Sequence, residues 1–374
     1  MQKRISDRLE VFDSSIFREV FHKQQALVDA IDLSVGIPED MTPLHIKAAG
    51  ISAITQDKTG YTPANGLLEL REEIRKKLQR ENNITVENNQ ISVVPGLTTG
   101  QLLIYMAILD PGDEVIVMDP GYPPYTQLAS ALGAEIMPVL TLPSFQLDLP
   151  EIEASITNKT KAIVINSPNN PTGAVYPESD LRKVAKLAEK HNVFIISDEI
   201  YEHFIYEGSH FSVGSIYPDT ITMHGFSKEY SMTGWRLGYV SGPIDVIDAI
   251  NELQQYAVFS SSAIAQHAAL EAIKSVHDVK EKYRKKRDLI IKNLTECGLE
   301  ITGAQGSYYV FFKAPNDMTD LEFTDLALKH NLIVIPGRAF SSRHGFIRIS
   351  YGAPIETVEK GTKVICDIIN NMLK

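Results

Sequence analysis

The stretch Ala162-Ile163-Val164-Ile165-Asn166-Ser167-Pro168-Asn169-Asn170-Pro171-Thr172-Gly173 decides the fold. A short apolar run stops abruptly at turn-forming residues, which reads as a strand covered on both faces followed by a tight loop. Next, Leu181, Val184 and Leu187 recur at the spacing of a helix face, with Glu178 supplying charge near the start. A second apolar run, Val193–Ile196, then ends in Ser197-Asp198-Glu199-Ile200-Tyr201. Strand, helix and strand in that order predict a parallel pair in an α/β domain.

The same pattern extends outward in both directions. Further strand candidates are Ile91–Val94, Val115–Met118, Ile136–Val139, Thr220–Met223 and Leu237–Val240, and Leu67, Leu70, Ile74 and Leu78 mark another helix. These runs predict a mostly parallel seven-stranded sheet sandwiched by helices. From about Asp245 the pattern turns helical, and Asp278–Leu294 reads as a long charged amphipathic helix. Short strand candidates follow at Tyr308–Phe312, Leu332–Ile335 and Phe346–Ser350, so the tail is expected to form a smaller α+β unit. The expected division is 1–40, an N-terminal arm that joins the smaller unit, 41–285, the large domain, and 286–374, the remainder of the small one.

The 374 residues correspond to about two or three domain-sized units, enough for a large buried core. Hydrophobic residues at 44% and charged residues at 22% are those of an ordinary globular chain. The net charge of −11 argues against nucleic acid as a bulk electrostatic partner. No apolar run approaches the roughly 20 residues that cross a bilayer, and Met1–Glu10 lacks the apolar core of a signal peptide. Cys297 and Cys366 sit in no CxxC or CxxH pattern, so neither a disulfide framework nor a zinc site is expected, and a cytoplasmic location fits. The ten histidines show no metal-binding spacing, and there is no GxGxxG, P-loop or GxSxG pattern.

Ligands of open parallel sheets bind beyond the carboxyl ends of the strands. There the chain places Gly96-Leu97-Thr98, Asp119-Pro120-Gly121-Tyr122, the Asn169-Asn170 loop, Asp198 with Tyr201, and Gly225-Phe226-Ser227-Lys228. A helix start led by Gly96 can hold a phosphate through its free N–H groups, and Arg236 can grip the same group through a forked pair of hydrogen bonds. A buried lysine near a phosphorylated carbonyl compound suggests Schiff-base chemistry, and an aspartate facing a ring nitrogen is the partner that pyridoxal phosphate requires.

Ser227-Lys228-Glu229-Tyr230-Ser231-Met232-Thr233-Gly234-Trp235-Arg236-Leu237-Gly238 resembles the lysine motif of class I/II, fold-type I pyridoxal-phosphate aminotransferases. Asn169–Gly173, Asp198–Tyr201, Gly60-Tyr61 with Gly66, and Phe346–Ser350 resemble further motifs of that family, over about Asp32 to Gly352. The resemblance implies that Lys228 carries the cofactor by a Schiff base and moves the substrate α-proton. It further implies that Asp198 pairs with the ring nitrogen, that Asn170 and Tyr201 bond the ring's phenolic oxygen, and that Tyr122 stacks on the ring. Gly96, Leu97 (by its backbone N–H), Thr98, Ser227 and Arg236 would hold the phosphate, joined by Tyr61 from the other subunit of a homodimer. Arg348 would bind the substrate carboxylate with help from Gly36 and Asn170. Some relatives carry Ser where Gly225 stands, so one possible phosphate hydroxyl is missing here.

Each residue also has a plainer reading. Asp198 could cap a helix, Asn170–Gly173 could be a simple turn, Tyr122 and Tyr201 could be core aromatics, Arg236 could form a structural salt bridge, Arg348 could snorkel, and Tyr61 could anchor within one subunit. The expected function is transfer of an amino group from an amino acid to a 2-oxo acid by ping-pong turnover, in amino-acid metabolism or biosynthesis. A β-lyase on the same fold is the competing reaction, and a ligand-sensing regulator is a distant third because the acidic chain leaves no room for a DNA-binding module before residue 32. Aspartate, alanine and aromatic donors all stay open. Arg338, Arg343 and Arg18 are charged candidates for reading the side chain, while Tyr61, Tyr122 and Phe340 could line an apolar pocket.

Overall fold

The computed structural model describes residues 5–12, 29–275 and 278–372. Its largest element is a seven-stranded sheet in the order β2-β8-β7-β6-β5-β3-β4. The strands are β2 (Ile91–Val94), β3 (Glu114–Asp119), β4 (Glu135–Leu140), β5 (Thr160–Asn166), β6 (Phe194–Asp198), β7 (Thr220–Gly225) and β8 (Gly238–Ser241). All neighbouring pairs run parallel except those of β8, which is antiparallel to both β7 and β2. The expected seven strands and mostly parallel pairing are therefore the ones observed.

Side chains alternate between the two faces of the sheet. Val115, Val117, Ala162 and Val164 pack under the helices Leu97–Ile108 and Ile244–Ala257. Ile116, Met118, Ile163 and Ile165 face the opposite layer, where Leu181, Val184 and Ala188 of the helix Glu178–His191 cover them. Each fully buried valine, leucine or isoleucine among them contributes about 1.5–3 kcal/mol of transfer free energy. Both faces are thus closed, and the exposed chemistry is left to the strand ends.

The remaining strands form two small sheets. β1 (Ile31–Asp32) pairs in parallel with β10 (Leu332–Ile333). β11 (Ile335–Pro336), β12 (Phe346–Ser350) and β9 (Tyr309–Lys313) form an antiparallel sheet. The single strand expected over Leu332–Ile335 is therefore two, because the chain changes partner at Val334: Leu332 and Ile333 bond the N-terminal segment, whereas Ile335 bonds Arg348. Periodicity alone cannot register such a change of neighbour. The helices Lys280–Glu296 and Ile355–Met372 pack on this region, and Cys297 and Cys366, expected to be unpaired, are joined as a disulfide with Cα atoms 5.4 Å apart. Their 69-residue separation hides from the sequence what the packing of those two helices brings together.

Candidate active site

Strand register builds the centre of the site. Asn166 of β5 lies opposite Asp198 of β6, which in turn lies opposite Met223 of β7, the strand that runs on to Ser227 and Lys228. Asn166 Nδ2 donates to the Asp198 carbonyl at 3.0 Å, and its Oδ1 accepts from the Asn170 N–H at 2.8 Å. One asparagine thus fixes both the aspartate and the loop after β5.

These groups open into a cavity of about 340 Å³. Its lining includes Gly36, Leu97, Thr98, Tyr122, Asn170, Asp198, Tyr201, Ser227, Lys228, Arg236 and Arg348, all read from the sequence as site residues. Gly96 sits against its edge: a Cβ there would lie 2.5 Å from Arg236 Nη2, and φ of +83° adds a second requirement for glycine. Gly96 is the N-cap of the helix Leu97–Ile108, whose first N–H groups have no helical acceptors. Arg236 itself takes φ of +53° and donates from Nη1 to the Thr233 carbonyl at 2.9 Å. Tyr61 is not brought to the cavity within one subunit; it is 83% exposed, with its ring centroid 4.4 Å from that of Phe259.

Lys228 Nζ donates to the Gly36 carbonyl at 2.8 Å. Burial, then the nearby Arg348 and Arg236, lower its pKa to about 8, against the opposing pull of Asp198. A useful fraction of the amine is therefore neutral near pH 7 and able to act as a nucleophile. Asp198 is only 5% exposed; it accepts from the Tyr125 hydroxyl at 2.7 Å and from the Ile200 N–H at 3.1 Å. Burial raises its pKa to about 6, although both hydrogen bonds favour the ionised form. No ion pair to Asp198 occurs among the described residues. A buried carboxylate that faces the cavity without an ion-pair partner fits a ligand that brings a cation to it, as a protonated ring nitrogen would.

Arg348 lies at the other wall. It is 6% exposed and sits between the rings of Tyr309 and Phe340, 4.7 and 4.5 Å from their centroids. Nη1 donates to Asn170 Oδ1 at 3.2 Å and Nη2 to the Ser34 carbonyl at 2.5 Å, while Nε is buried without a partner. An orphaned guanidinium donor in a cavity wall fits a carboxylate ligand. The Tyr201 and Tyr309 hydroxyls are 3.0 Å apart, and burial first of all holds the Tyr201 pKa well above its ordinary value, so that phenol stays protonated.

Of the charged candidates for side-chain recognition, Arg338 is committed to Asp320 through Nε and Nη2 at 2.9 and 2.7 Å. Arg343 is exposed and outside the cavity lining, and Arg18 lies outside the described residues. Sequence reading passed over Tyr125, Asn166, Tyr309 and Ser34. Only Tyr125 carried a local signal, since it stands one helical turn after Tyr122 in the same proline-rich loop. Behind Asp198, the ligand atoms of Glu199, Glu202 and His210 lie within 4.8 Å of one another, but Lys77 already pairs with Glu202, which makes the group a buried ion-pair network.

Residues 28–365 match the family model of aminotransferase class I and II. The chain is 41% identical to the probable aspartate/prephenate aminotransferase of Thermus aquaticus, over 89% of this chain and 90% of that protein. It is 36% identical to aromatic-amino-acid aminotransferase 2 of Thermococcus litoralis, over 95% and 96% of the two chains. The structure of Thermus thermophilus aspartate aminotransferase with maleate superimposes with a TM-score of 0.94 at 37% identity, covering 98% of this chain and 100% of that one. Likeness over nearly the whole length, to proteins named for amino-group transfer, favours that reaction over the β-lyase alternative. With a lysine of lowered pKa, a cation-seeking aspartate and a carboxylate-seeking arginine in one cavity, the chain belongs to the class I and II aminotransferases, fold-type I enzymes that use pyridoxal phosphate.

Proposed function

We propose that the enzyme transfers amino groups from amino acids with an aromatic or apolar side chain. The observation that carries this is the inventory of cations: among the described residues the cavity lining holds only Lys228, Arg236 and Arg348, and each has another task. Val35, Tyr122, Ile335 and Phe340 form much of the remaining wall. A second substrate carboxylate would lose its water there without gaining a charge partner, at a cost of several kcal/mol. The relatives are named for aspartate, prephenate and aromatic amino acids, so the family leaves the choice to these walls.

The bound cofactor would supply an electron sink for the substrate α-carbon. Gly96, Leu97, Thr98, Ser227 and Arg236 would hold its phosphate. Asp198 would hold a proton on its ring nitrogen, with Tyr125 and Asn166 fixing the carboxylate. Asn170 and Tyr201 would bond its phenolic oxygen, and Tyr122 would cover its face. Lys228, released from Gly36, would take the α-proton and return it one position along the cofactor. Arg348 would orient the substrate carboxylate by a forked pair of hydrogen bonds, with Gly36 and Asn170 beside it.

A homodimer follows from the same reading, with Tyr61 reaching the neighbouring subunit's phosphate. Its 83% exposure within one chain and the exposed Met41, Leu44, Ile51 and Tyr256 support it. The large and small domains would divide near 41 and 285, with 1–40 joining the latter. A cytoplasmic location stands beside the Cys297–Cys366 pairing, which is uncommon in reducing compartments; the thiol state of the pair in cells tests it. Among the described residues no helix is long and apolar enough to cross a membrane.

The function is tested with an amino-donor panel against 2-oxoglutarate and pyruvate, with Lys228→Ala as the inactive control. Phenylalanine, tyrosine or leucine should exceed aspartate in kcat/KM by at least tenfold. Aspartate as the best donor would overturn the side-chain reading, and turnover retained by Lys228→Ala would overturn the assignment of the lysine.

A further inference from the structure

Gln101 stands one helical turn into Leu97–Ile108, the helix whose start borders the cavity. It lines that cavity and is 1% exposed, yet neither Nε2 nor Oε1 has a hydrogen-bond partner among the described residues. A buried primary amide left with no partner costs about 1–3 kcal/mol, so such groups survive where something else completes them. The Tyr105 hydroxyl adjoins the amide, which favours its ionised form, but it donates its proton to the Tyr125 carbonyl at 2.8 Å and so offers Gln101 Oε1 no donor. Helical side chains lean toward the N-terminus of their helix, which carries the Gln101 amide back over the turn that begins at Leu97 and Thr98.

A second observation points the same way. Gly225, two residues before Ser227, offers no hydroxyl, and a Cβ there would lie 2.8 Å from Ile200 Cδ1. With Ile200 in place, that side of the cup is closed to a side-chain donor. Gln101 offers a replacement from the helix side: its Nε2 carries two donors, and a phosphate dianion accepts several.

We infer that Gln101 is a cofactor-binding residue, whose amide donates to the phosphate group at the Gly96–Thr98 helix start, directly or through one ordered water, and takes the place of the hydroxyl absent at Gly225. The inference rests on reading Gly96–Thr98 and Arg236 as the phosphate cup. Bound in this way, the amide is satisfied only in the loaded protein, so it raises affinity at the expense of the empty form.

The test titrates cofactor-stripped full-length protein with pyridoxal phosphate and, separately, with pyridoxal, which lacks the phosphate. Gln101→Leu keeps the volume and removes both polar atoms. It should weaken pyridoxal phosphate binding about tenfold or more, leave pyridoxal binding unchanged, and melt no lower than wild type when empty. Gln101→Glu should lose more affinity for the phosphorylated compound, through repulsion, and keep pyridoxal. Equal loss of both ligands, or a Gln101→Leu protein with full preference for the phosphate, overturns the role of Gln101. Arg236→Ala separates this failure from failure of the cup. If Arg236→Ala loses the preference and Gln101→Leu keeps it, the cup stands and Gln101 is outside it; if Arg236→Ala also keeps it, the cup and the inference fall together.

Discussion

Replacing Asp198 with Asn isolates one electrostatic cost of the cavity. In the empty protein, burial raises the Asp198 pKa from 3.8 to about 6, even though Tyr125 and Ile200 donate to the carboxylate. A carboxyl that is harder to ionise when folded holds its proton more tightly in the folded chain than in the unfolded one. Its contribution to stability is therefore fully present below pH 3.8, is lost as the pH rises to about 6, and is flat beyond. At about 1.4 kcal/mol per pH unit, the gap between the two values corresponds to about 3 kcal/mol. Asp198→Asn keeps an acceptor for one of the two donors and removes the titration. Measured from denaturant midpoints of cofactor-stripped protein, the stability of Asp198→Asn relative to wild type should grow by about 3 kcal/mol from about pH 4 to about pH 7. Loading with pyridoxal phosphate should reverse the trend in wild type alone, since a cation beside the carboxylate favours its ionised form. A difference that stays constant with pH would refute the argument that Asp198 is strained by burial and waiting for a cation.

Further outcomes follow from neighbouring residues. Arg348→Gln should raise KM for every α-carboxylate donor by about thirtyfold or more, the effect of breaking a buried charged pair; a loss confined to one donor class would assign Arg348 to the side chain instead. Because the Lys228 pKa is lowered to about 8, capture of pyridoxal phosphate by stripped protein should accelerate as the pH rises toward about 8 and level off above it; stopped-flow absorbance would follow this, and a flat profile would contradict it. Gly36→Ala would set a Cβ 2.0 Å from Tyr309 Oη, so it should destabilise the fold by about 1–3 kcal/mol and impair turnover, and Tyr309→Phe should not restore wild-type activity because the ring still crowds the site. Reduction of Cys297–Cys366, or Cys297→Ser, should lower stability by up to about 4 kcal/mol, as closure of a loop of this length implies; an unchanged melting temperature under reductant would show that the pairing adds nothing.

The large sheet was legible because strands covered on both faces are written as uninterrupted apolar runs, and all seven stand close to where those runs fall. The site was legible because such strands stop at the ligand, so Asp198, Asn170 and Lys228 each follow a run directly. What escaped depends on spatial neighbours. Asn166 became important because β5 lies beside β6 in the register that places it against the Asp198 carbonyl, and no periodicity encodes strand order. Tyr309 and Phe340 meet Arg348 from two separate segments that both precede it in sequence. The disulfide needed the packing of two helices that the sequence keeps far apart.

Net charge was the least instructive number, and the reason is geometric. The chain totals −11, yet its cavity collects Lys228, Arg236 and Arg348 around a single carboxylate, Asp198. The two arginines depress the lysine further than burial alone does, while Asp198 restrains the shift. At the roughly 8 Å screening length of physiological salt, acidic groups on the far surface contribute little to this balance. The two arginines that attract a phosphate and a carboxylate therefore also ease the lysine toward its neutral form, so that anion binding and amine activation share one electrostatic cause. Neutralising Arg348 should accordingly raise the Lys228 pKa as well as weaken substrate binding. The pH at which pyridoxal phosphate capture levels off should move upward in Arg348→Gln, and an unmoved midpoint would separate the two effects.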